Sequence, residues 1–188
     1  MTLHERIDSY RQVFPKYPAM WVDKGWLMGI WVLGNMYKRQ SDFYGAYPGN
    51  YLKRVYALCP DKASTLHVFS GTVQPQHGEI TVDCNLSLKP SVVADVRHLP
   101  FRLNAFDTVI ADPPYSAKDA LHYRTPMIAR GPVVKHIRTV TQPGGLLFWL
   151  DTVRPMYSKL EWKQVGAVGV LVSTNTRARC LSIFEAVK

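Results

Sequence analysis

The hydrophobic and polar positions form a regular pattern from residue 48 onward. Residues 48–60, PGNYLKRVYALCP, begin and end with proline, which predicts a short amphipathic helix with an apolar face formed by Leu52, Val55, Tyr56 and Cys59. Four short apolar runs rich in β-branched residues come next, and they predict strands over residues 65–70, 79–83, 91–95 and 106–112. The last run is apolar almost throughout, as expected for a strand buried on both faces of a parallel sheet.

The second half of the chain continues the alternation of helix and strand. Residues 132–142 predict a helix, the Pro-Gly-Gly at 143–145 ends it, and residues 146–151 form another apolar strand. Toward the C-terminus, two runs rich in β-branched residues flank the turn residues 173–176, a pattern typical of an antiparallel hairpin. The sequence therefore predicts an α/β fold with a mainly parallel sheet and an antiparallel C-terminal hairpin at its edge.

Residues 1–47 show no such period. Trp21, Trp26 and Trp31 recur at intervals of five, which fits neither a helix face nor a strand face, and prolines and glycines interrupt the segment. We expect an irregular, aromatic-rich N-terminal flank that packs on a main domain at residues 48–188. In an alternative role, one aromatic side chain of this flank stacks on a nucleic-acid base.

Composition indicates one core and the kind of partner. Of the 188 residues, 47% are hydrophobic, which is enough apolar material for one well-buried core and leaves little for a second. Lysine and arginine outnumber aspartate and glutamate by 23 to 14, for a net charge of +9, which favours a polyanion such as nucleic acid as partner. The excess charge is also compatible with a role in solubility alone.

The cysteines and the apolar runs bear on metal binding and location. Cys59, Cys84 and Cys180 lie far apart, with no paired spacing and no histidine at ligand spacing, so we expect neither a zinc site nor a disulfide framework. This cysteine usage is typical of a reducing, cytoplasmic compartment. The longest apolar run, residues 26–34, is too short to span a bilayer, and we expect a soluble protein with no membrane partner.

Chemically useful residues occur where the predicted strands end. The carboxyl ends of parallel strands meet at one edge of a sheet, and ligands bind there in such folds. In chain order these residues are the turn Ser70-Gly71-Thr72, Asp83, Asp95 and the tetrapeptide Asp112-Pro113-Pro114-Tyr115. Taken singly, a glycine there is usually a turn and an aspartate a helix cap. Together, in this order, they predict a ligand site.

This series resembles the class I S-adenosylmethionine-dependent methyltransferases, and within them the amino-methyltransferases that carry a D/N/S-P-P-Y/F/W tetrapeptide after the fourth strand. The strongest element is FDTVIADPPY at 106–115, and the match runs from Phe43 to the C-terminus. The resemblance implies a Rossmann-like methyltransferase domain over residues 48–188, with S-adenosylmethionine as cofactor and no metal. The residues that it assigns to the cofactor are Tyr44, Pro48, Phe69, Ser70, Gly71, Asp83, Asp95, Val96 and Asp112.

Two features depart from the family pattern. The first loop, HVFSGT at 67–72, lacks a G-x-G and offers only Gly71. Residues 71–78 are too few for the helix that normally connects the first two strands, so we expect shortened first crossovers. Residues 43–51, FYGAYPGNY, resemble a cofactor-contacting segment of DNA amino-methyltransferases and are expected to supply part of the missing contact. A turn that leads into a helix explains them equally well.

The tetrapeptide suits the chemistry that the resemblance implies. An exocyclic base amine is a poor nucleophile because its lone pair is conjugated with the ring, so a catalyst must hold that lone pair toward the methyl group. Asp112 would accept one N–H with its side chain and Pro113 the other with its carbonyl, while Pro114 stiffens the turn. Tyr115 would stack on a base that is flipped out or single-stranded. A purely structural Asp-Pro-Pro turn is the alternative.

The expected substrate follows from the resemblance and the charge. The same tetrapeptide serves adenine N6, cytosine N4 and guanine N2, and aspartate in first place resembles the adenine enzymes, so we expect adenine N6 in DNA. An RNA base amino-methyltransferase and a catalytically silent nucleic-acid-binding subunit stay open as alternatives. The chain has no insertion large enough for a target-recognition domain, so a partner subunit could supply recognition. The loop at 116–131 offers Lys118, His122, Arg124 and Arg130, either for phosphate contacts or simply as solvated side chains.

Overall fold

The computed structural model describes residues 1–16, 19–34, 47–173 and 175–187. The helices are α1 (Leu3–Val13), α2 (Tyr51–Leu58), α3 (Ala117–His122) and α4 (Arg130–Val140). The strands are β1 (Met20–Asp23), β2 (Trp26–Leu33), β3 (Thr65–Val68), β4 (Glu79–Asp83), β5 (Val92–Val93), β6 (Phe106–Ala111), β7 (Thr141–Asp151), β8 (Trp162–Val172) and β9 (Asn175–Ala186). Single 3₁₀ turns occur at Leu86–Leu88 and Val96–His98. In these ranges, no helix is long and apolar enough to cross a membrane.

The described strands form one sheet in the order β1-β2-β8-β9-β7-β6-β3-β4-β5. Neighbours are parallel from β7 through β6, β3 and β4 to β5, whereas β9 runs antiparallel to both β7 and β8. This is the Rossmann-like arrangement with one reversed strand that the sequence predicts. The mainly parallel sheet and the antiparallel C-terminal hairpin, β8–β9, are confirmed.

The C-terminal hairpin does not lie at the edge of the sheet, and that part of the prediction is wrong. β2 pairs in parallel with β8, from Leu27 opposite Gly166 to Leu33 opposite Val172, and β1 lies outside β2. Glycine permits this close approach, because a Cβ on Gly166 would lie 2.8 Å from the backbone oxygen of Leu27. The N-terminal residues therefore extend the sheet beyond the hairpin.

The expectation of an irregular N-terminal flank is also wrong, since α1, β1 and β2 all lie within it. The tryptophan spacing is uninformative because Trp21 and Trp26 belong to different strands, so the interval between them crosses a turn. The buried positions of β2 alternate as in a half-buried strand, and they are Leu27, Gly29, Trp31 and Leu33. The division of the chain at residue 47 stays a prediction.

Most elements after residue 48 match the predictions, but α3 lies within residues 116–131, which the sequence analysis gives as a loop. α4 ends at Val140, but β7 begins at once, because the Pro-Gly-Gly segment is built into the strand as a register shift opposite β6. Gly144 has a φ of 79°, and a Cβ on Gly145 would lie 2.9 Å from the backbone oxygen of Asp107. Residues 69–78, between β3 and β4, contain no helix, which confirms the shortened first crossover.

Helices pack on both faces of the sheet. On one face, α1 and α2 enclose a core that includes Tyr10, Trp31 and Tyr51. On the other face, α4 covers a core that includes Ile137 and Trp149. Interiors of this kind are close-packed and rigid. The carboxyl ends of β3, β4 and β6 therefore hold polar groups in fixed positions at one edge.

Candidate active site

A cleft opens at the carboxyl ends of β3, β4 and β6. Its volume is about 830 Å³ counted out to open solvent, and it extends from the loop after β3 to the tetrapeptide after β6. The predicted residues that line it are Phe69, Ser70, Gly71, Asp83, Asp112, Pro113, Pro114 and Tyr115. The structure thus brings together most of the residues that the sequence indicates for a ligand site.

Asp83 fixes the loop that follows β3. Phe69 and Gly71 have left-handed backbone conformations, with φ of 56° and 55°, and turn the chain sharply after the strand. The Gly71 N–H donates to Asp83 Oδ2 at 3.0 Å, and the Ser70 N–H donates to the Val82 carbonyl at 3.1 Å. The loop keeps a defined shape with a single glycine because β4 supplies these hydrogen-bond acceptors.

Asp83 also has acceptor capacity left for a ligand. Its side chain is buried, with Oδ1 accepting the Asn85 N–H at 2.9 Å and Oδ2 accepting that of Gly71. An ionised carboxylate offers about four acceptor positions, so roughly half remain for groups that enter the cleft. This capacity matches the sequence-based assignment of Asp83 to ribose hydroxyls.

Two residues assigned to the cofactor, Asp95 and Val96, do not line the cleft as the described residues outline it. Asp95 caps the 3₁₀ turn that follows it and forms an ion pair with Arg97. The Arg97 side-chain hydrogen bond lowers the pKa of the Asp95 carboxyl. Val96 is buried in the core on the α4 face. Their assignment to the cofactor thus stays a prediction from the family resemblance.

The segment before α2 contributes a tyrosine that the sequence interpretation did not single out. Tyr44 lies outside the described residues, and Pro48 is buried without lining the cleft. Tyr47 lines the cleft, and its ring stacks on Tyr51 with 4.9 Å between centroids. Burial raises the pKa of the Tyr47 phenol well above its ordinary value, so its hydroxyl stays protonated at neutral pH.

Asp112 and Tyr115 are joined within the tetrapeptide. The Tyr115 hydroxyl donates to Asp112 Oδ1 at 2.5 Å. Burial raises the pKa of Asp112 to about 6, while the Tyr115 hydrogen bond and the positive charge of Arg179 act in the opposite direction. Burial also raises the pKa of Tyr115 well above its ordinary value, so this hydroxyl remains a donor. The turn therefore presents a carboxylate that is mostly ionised at neutral pH.

Two arginines of β9 lie against the Tyr115 ring. The guanidinium carbons of Arg177 and Arg179 are 5.8 and 5.1 Å from the ring centroid. Arg177 also forms an ion pair with Asp119 of α3 at 2.9 Å, which ties the C-terminal hairpin to the segment after the tetrapeptide. A base that stacks on Tyr115 must use the ring face away from these arginines or displace them.

Three of the four side chains assigned to phosphate contacts are exposed, and they are Lys118, His122 and Arg124 on α3 and the turn after it. Arg130 is placed differently. Its Nε donates to Asp151 Oδ2 at 2.6 Å, and its Nη2 donates to the Tyr115 carbonyl at 3.1 Å. Because these donors are engaged within the protein, Arg130 supports the back of the tetrapeptide and does not reach outward for phosphate.

Four buried polar atoms of the cleft have no hydrogen-bond partner among the described residues, and they are Tyr47 Oη, Ser70 Oγ, Thr125 Oγ1 and Arg179 Nε. Buried polar groups are normally paired, and one left unpaired costs about 1–3 kcal/mol. Such atoms fit a cleft that receives a polar ligand with several donors and acceptors. Within the described ranges, no group of three or more His, Cys, Asp or Glu side chains has the arrangement that a metal ion needs.

Sequence reasoning missed six residues that line the cleft, namely Tyr47, Cys84, Leu88, Tyr123, Thr125 and Arg179. Tyr47 lies within the predicted segment 43–51 but was not singled out there, and Cys84 adjoins Asp83. Tyr123 and Thr125 lie in the loop at 116–131, where only the cations drew attention. Arg179 carries no local signal, because a strand that returns from the far end of the chain brings it to the cleft.

The chain has the fold of solved methyltransferases. No family model matches it, and no curated protein matches it. TrmN from Thermus thermophilus matches with 18% identity and a TM-score of 0.55, over 77% of this chain and 50% of that chain. This chain thus spans half the length of the TrmN chain. The N-methyltransferase NodS from Bradyrhizobium japonicum WM9 matches with 13% identity and a TM-score of 0.46, over 68% of this chain and 87% of that chain.

The strand order carries the same conclusion. A parallel block from β5 to β7, followed by the reversed strand β9 between β7 and β8, is the Rossmann-like methyltransferase fold. At identities this low the likeness extends to the fold alone. The chemistry must be argued from the residues of the cleft.

Proposed function

We propose that this protein is an S-adenosylmethionine-dependent methyltransferase that methylates an exocyclic amine of a nucleic-acid base, with adenine N6 in DNA as the target. One observation carries the proposal. Asp112 is a half-buried, ionisable acceptor on a stiff Asp-Pro-Pro turn, and it shares one cleft with the Gly71 turn and Asp83. The fold supports the assignment, because ligands of open α/β sheets bind at this edge.

The half of the cleft between Gly71 and Leu88 suits the cofactor. The acceptor positions left on Asp83 would bind ribose hydroxyls, as an acid at the end of the second strand does in nucleotide-binding folds. Leu88 offers an apolar surface for the adenine ring, and the unpaired Ser70 hydroxyl lies beside the glycine turn. The family resemblance alone supports a cofactor role for Tyr44, Pro48, Asp95 and Val96, whereas Phe69 also lines the cleft.

The tetrapeptide would prepare the amine for transfer. When bound, S-adenosylmethionine supplies a methyl group on a positively charged sulfur. Asp112 and the Pro113 carbonyl would accept the two N–H groups of the amine and direct its lone pair at that carbon. As the amine gains the methyl group that the sulfur gives up, its surplus proton would pass to Asp112. With a pKa of about 6, Asp112 is a better base than an exposed aspartate and is still ionised at pH 7.

The charge distribution supports a nucleic acid as substrate. The net charge is +9, and Lys118, His122 and Arg124 lie exposed on α3 and the turn after it, beside the cleft. Phosphate contacts of this kind make affinity strongly dependent on salt. Among the described segments, this one is the main candidate for contacts to the target. Because one short segment offers few such contacts, a partner subunit would extend recognition. A cytoplasmic site of action agrees with the three scattered cysteines.

Methyl transfer to three polymers tests the proposal. The purified protein is incubated with labelled S-adenosylmethionine and duplex DNA, single-stranded DNA or structured RNA, and Asp112→Ala is run beside each. Label at adenine N6 of DNA, lost in the variant, is the expected result. Label in RNA alone would show that the substrate is an RNA base and not adenine in DNA.

A second experiment, combined with the methyl-transfer assay, separates an enzyme from a binding subunit. Calorimetric titration with S-adenosylhomocysteine measures cofactor affinity without any substrate. Salt-sensitive nucleic-acid binding without cofactor binding, and without label in any polymer, would contradict the methyltransferase activity. That outcome would instead indicate a catalytically silent nucleic-acid-binding subunit.

A further inference from the structure

Arg179 is a cation of the cleft with an unused hydrogen-bond donor. It lies on β9 opposite Val170, and the antiparallel course of β9 returns this end of the strand to the carboxyl end of β7. Its Nε is buried and has no hydrogen-bond partner within the described residues. Its guanidinium carbon lies 5.1 Å from the centroid of the Tyr115 ring.

The arginines around it are engaged. Arg177 pairs with Asp119, and Arg130 pairs with Asp151 and the Tyr115 carbonyl. In the described part of the chain Arg179 forms no ion pair with a carboxylate. A buried donor on a charged group is costly when nothing accepts from it. The unpaired Nε is explained if a substrate supplies the acceptor.

We propose that Arg179 recognises the ring nitrogen next to the target amine and thereby selects the base. This inference rests on the proposed function and names the substrate class of the same site. Asp112 offers an acceptor for the amine, and Arg179 offers a donor beside it. A base held by both must present an amine donor and a neighbouring acceptor on one edge.

This pairing of donor and acceptor distinguishes the bases. On the Watson–Crick edge, adenine places N1 beside its N6 amine, and cytosine places N3 beside its N4 amine, both of them acceptors. Guanine places the N1–H donor beside its N2 amine on this edge, so that a donor would face Arg179, and its neighbouring acceptor N3 lies on the opposite side of the amine. The site therefore suits adenine and cytosine amines held by the Watson–Crick edge and disfavours guanine N2 in the same orientation.

A phosphate is a poorer partner for Arg179. Burial raises the pKa values of Asp112, Tyr115 and Tyr123, and the charge of Arg179 opposes that rise at all three. Arg179 thus lies in the cleft beside the tetrapeptide that would hold the amine. The side chains on the rim, Lys118 and Arg124, are the exposed ones that suit the sugar-phosphate backbone.

Substrate analogues combined with a variant test the inference. The full chain is assayed for kcat/KM with oligonucleotides that carry adenine, 1-deazaadenine or 7-deazaadenine at the target. Loss of N1 should lower the wild-type value by about 10- to 100-fold, the range for one good base contact, whereas loss of N7 should change it little. Arg179→Met should lose a similar factor with adenine and nothing further with 1-deazaadenine.

The cycle isolates the contact, because any change in the intrinsic reactivity of the deaza amine affects both proteins equally. Equal losses on 1-deazaadenine in the wild type and in Arg179→Met would overturn the role of Arg179 while leaving methyl transfer established. If Arg179→Met does not fold, Arg179→Lys enters the same cycle. Its ammonium lacks the planar fork, and a reduced deaza penalty is again expected. No label on any oligonucleotide with the wild type would overturn the proposed function and this inference with it.

Discussion

The Tyr115 hydroxyl donates to Asp112 Oδ1 at 2.5 Å, so the acceptor that the proposed mechanism needs is already hydrogen-bonded inside its own tetrapeptide. An ionised carboxylate offers about four acceptor positions, so Asp112 can accept an incoming amine while the Tyr115 hydrogen bond stays in place. This hydrogen bond lowers the pKa of Asp112, so its effect can be measured in the pH dependence of activity.

Activity should fall as the pH drops through about 6, because the mechanism needs ionised Asp112 and its pKa is raised to about 6. The Tyr115 hydrogen bond favours the ionised form, so Tyr115→Phe should move the acid midpoint of kcat/KM to higher pH. Tyr157→Phe is the matched control, since Tyr157 packs on Phe184 away from the tetrapeptide. An unchanged midpoint in Tyr115→Phe would contradict the role of this hydrogen bond.

Asp112→Ala should reduce methyl transfer by at least about 100-fold, because it removes both the acceptor and the base for the surplus proton. Binding of S-adenosylhomocysteine, measured by calorimetry, should change little, since Asp83 and the Gly71 turn are untouched. Asp23→Ala, an exposed aspartate of the N-terminal hairpin, should leave both quantities unchanged. Near-normal turnover in Asp112→Ala would refute the acceptor turn.

Asp112→Asn should stabilise the fold at neutral pH. Folding raises the pKa of Asp112 from its ordinary value to about 6, so above that pH the folded state carries a buried charge that the unfolded state solvates better. We expect a gain of about 1–3 kcal/mol in the free energy of unfolding by urea at pH 7.5. The gain should vanish below about pH 4, where the carboxyl is protonated in both states. A gain that persists at acid pH would point to packing instead of charge.

Asp83→Asn should weaken S-adenosylhomocysteine binding by about 10-fold, the effect of one lost hydrogen bond to a charged group. An amide keeps one acceptor oxygen, so it cannot serve Gly71, Asn85 and a ribose hydroxyl as the carboxylate can. Calorimetric titration measures the change. Asp61→Asn, half exposed at the opposite edge of the sheet, is the control and should bind like the wild type.

Glu79→Gln should destabilise the protein by about 3 kcal/mol at pH 7, because it leaves the partners of a buried carboxylate unpaired. Burial acts to raise the pKa of Glu79, but hydrogen bonds from His67, Tyr56 and Lys62 outweigh it and lower the pKa. Its stabilising effect is therefore present above about pH 4.3 and is lost as the pH falls further. Urea unfolding at several pH values measures the free energy of unfolding. We expect this free energy to fall less steeply at acid pH in Glu79→Gln than in the wild type, and to fall as in the wild type in Glu185→Gln.

The parts of the site that local sequence determines could be predicted. Gly71, Asp83 and the tetrapeptide directly follow apolar strands, so their shared edge follows once the strands are recognised as parallel. Arg179 could not be found in this way, because its place depends on the register of β9 against β7 and β8, and no nearby residue encodes that register.

The strand pairs at the N-terminus were missed for a related reason. β2 is a good strand by its alternating burial, but Gly25, Gly29 and Gly34 interrupt the apolar run in the sequence. Gly29 serves a long-range contact: a Cβ there would lie 2.6 Å from the backbone oxygen of Ala19 in the preceding segment. In the sequence alone, a glycine required for close packing cannot be distinguished from a glycine required for a turn.

The pairing of β2 with β8 has a consequence for how the protein is made. Residues 26–33 leave the ribosome early, but their parallel partner, Trp162–Val172, is synthesised only after most of the chain. Such long-range pairing is slow because a large loop must close, at a cost in entropy, before any stabilising contact between the two strands can form. During synthesis, one side of β2 therefore waits as an open strand edge, which a chaperone or a neighbouring chain can reach until β8 emerges.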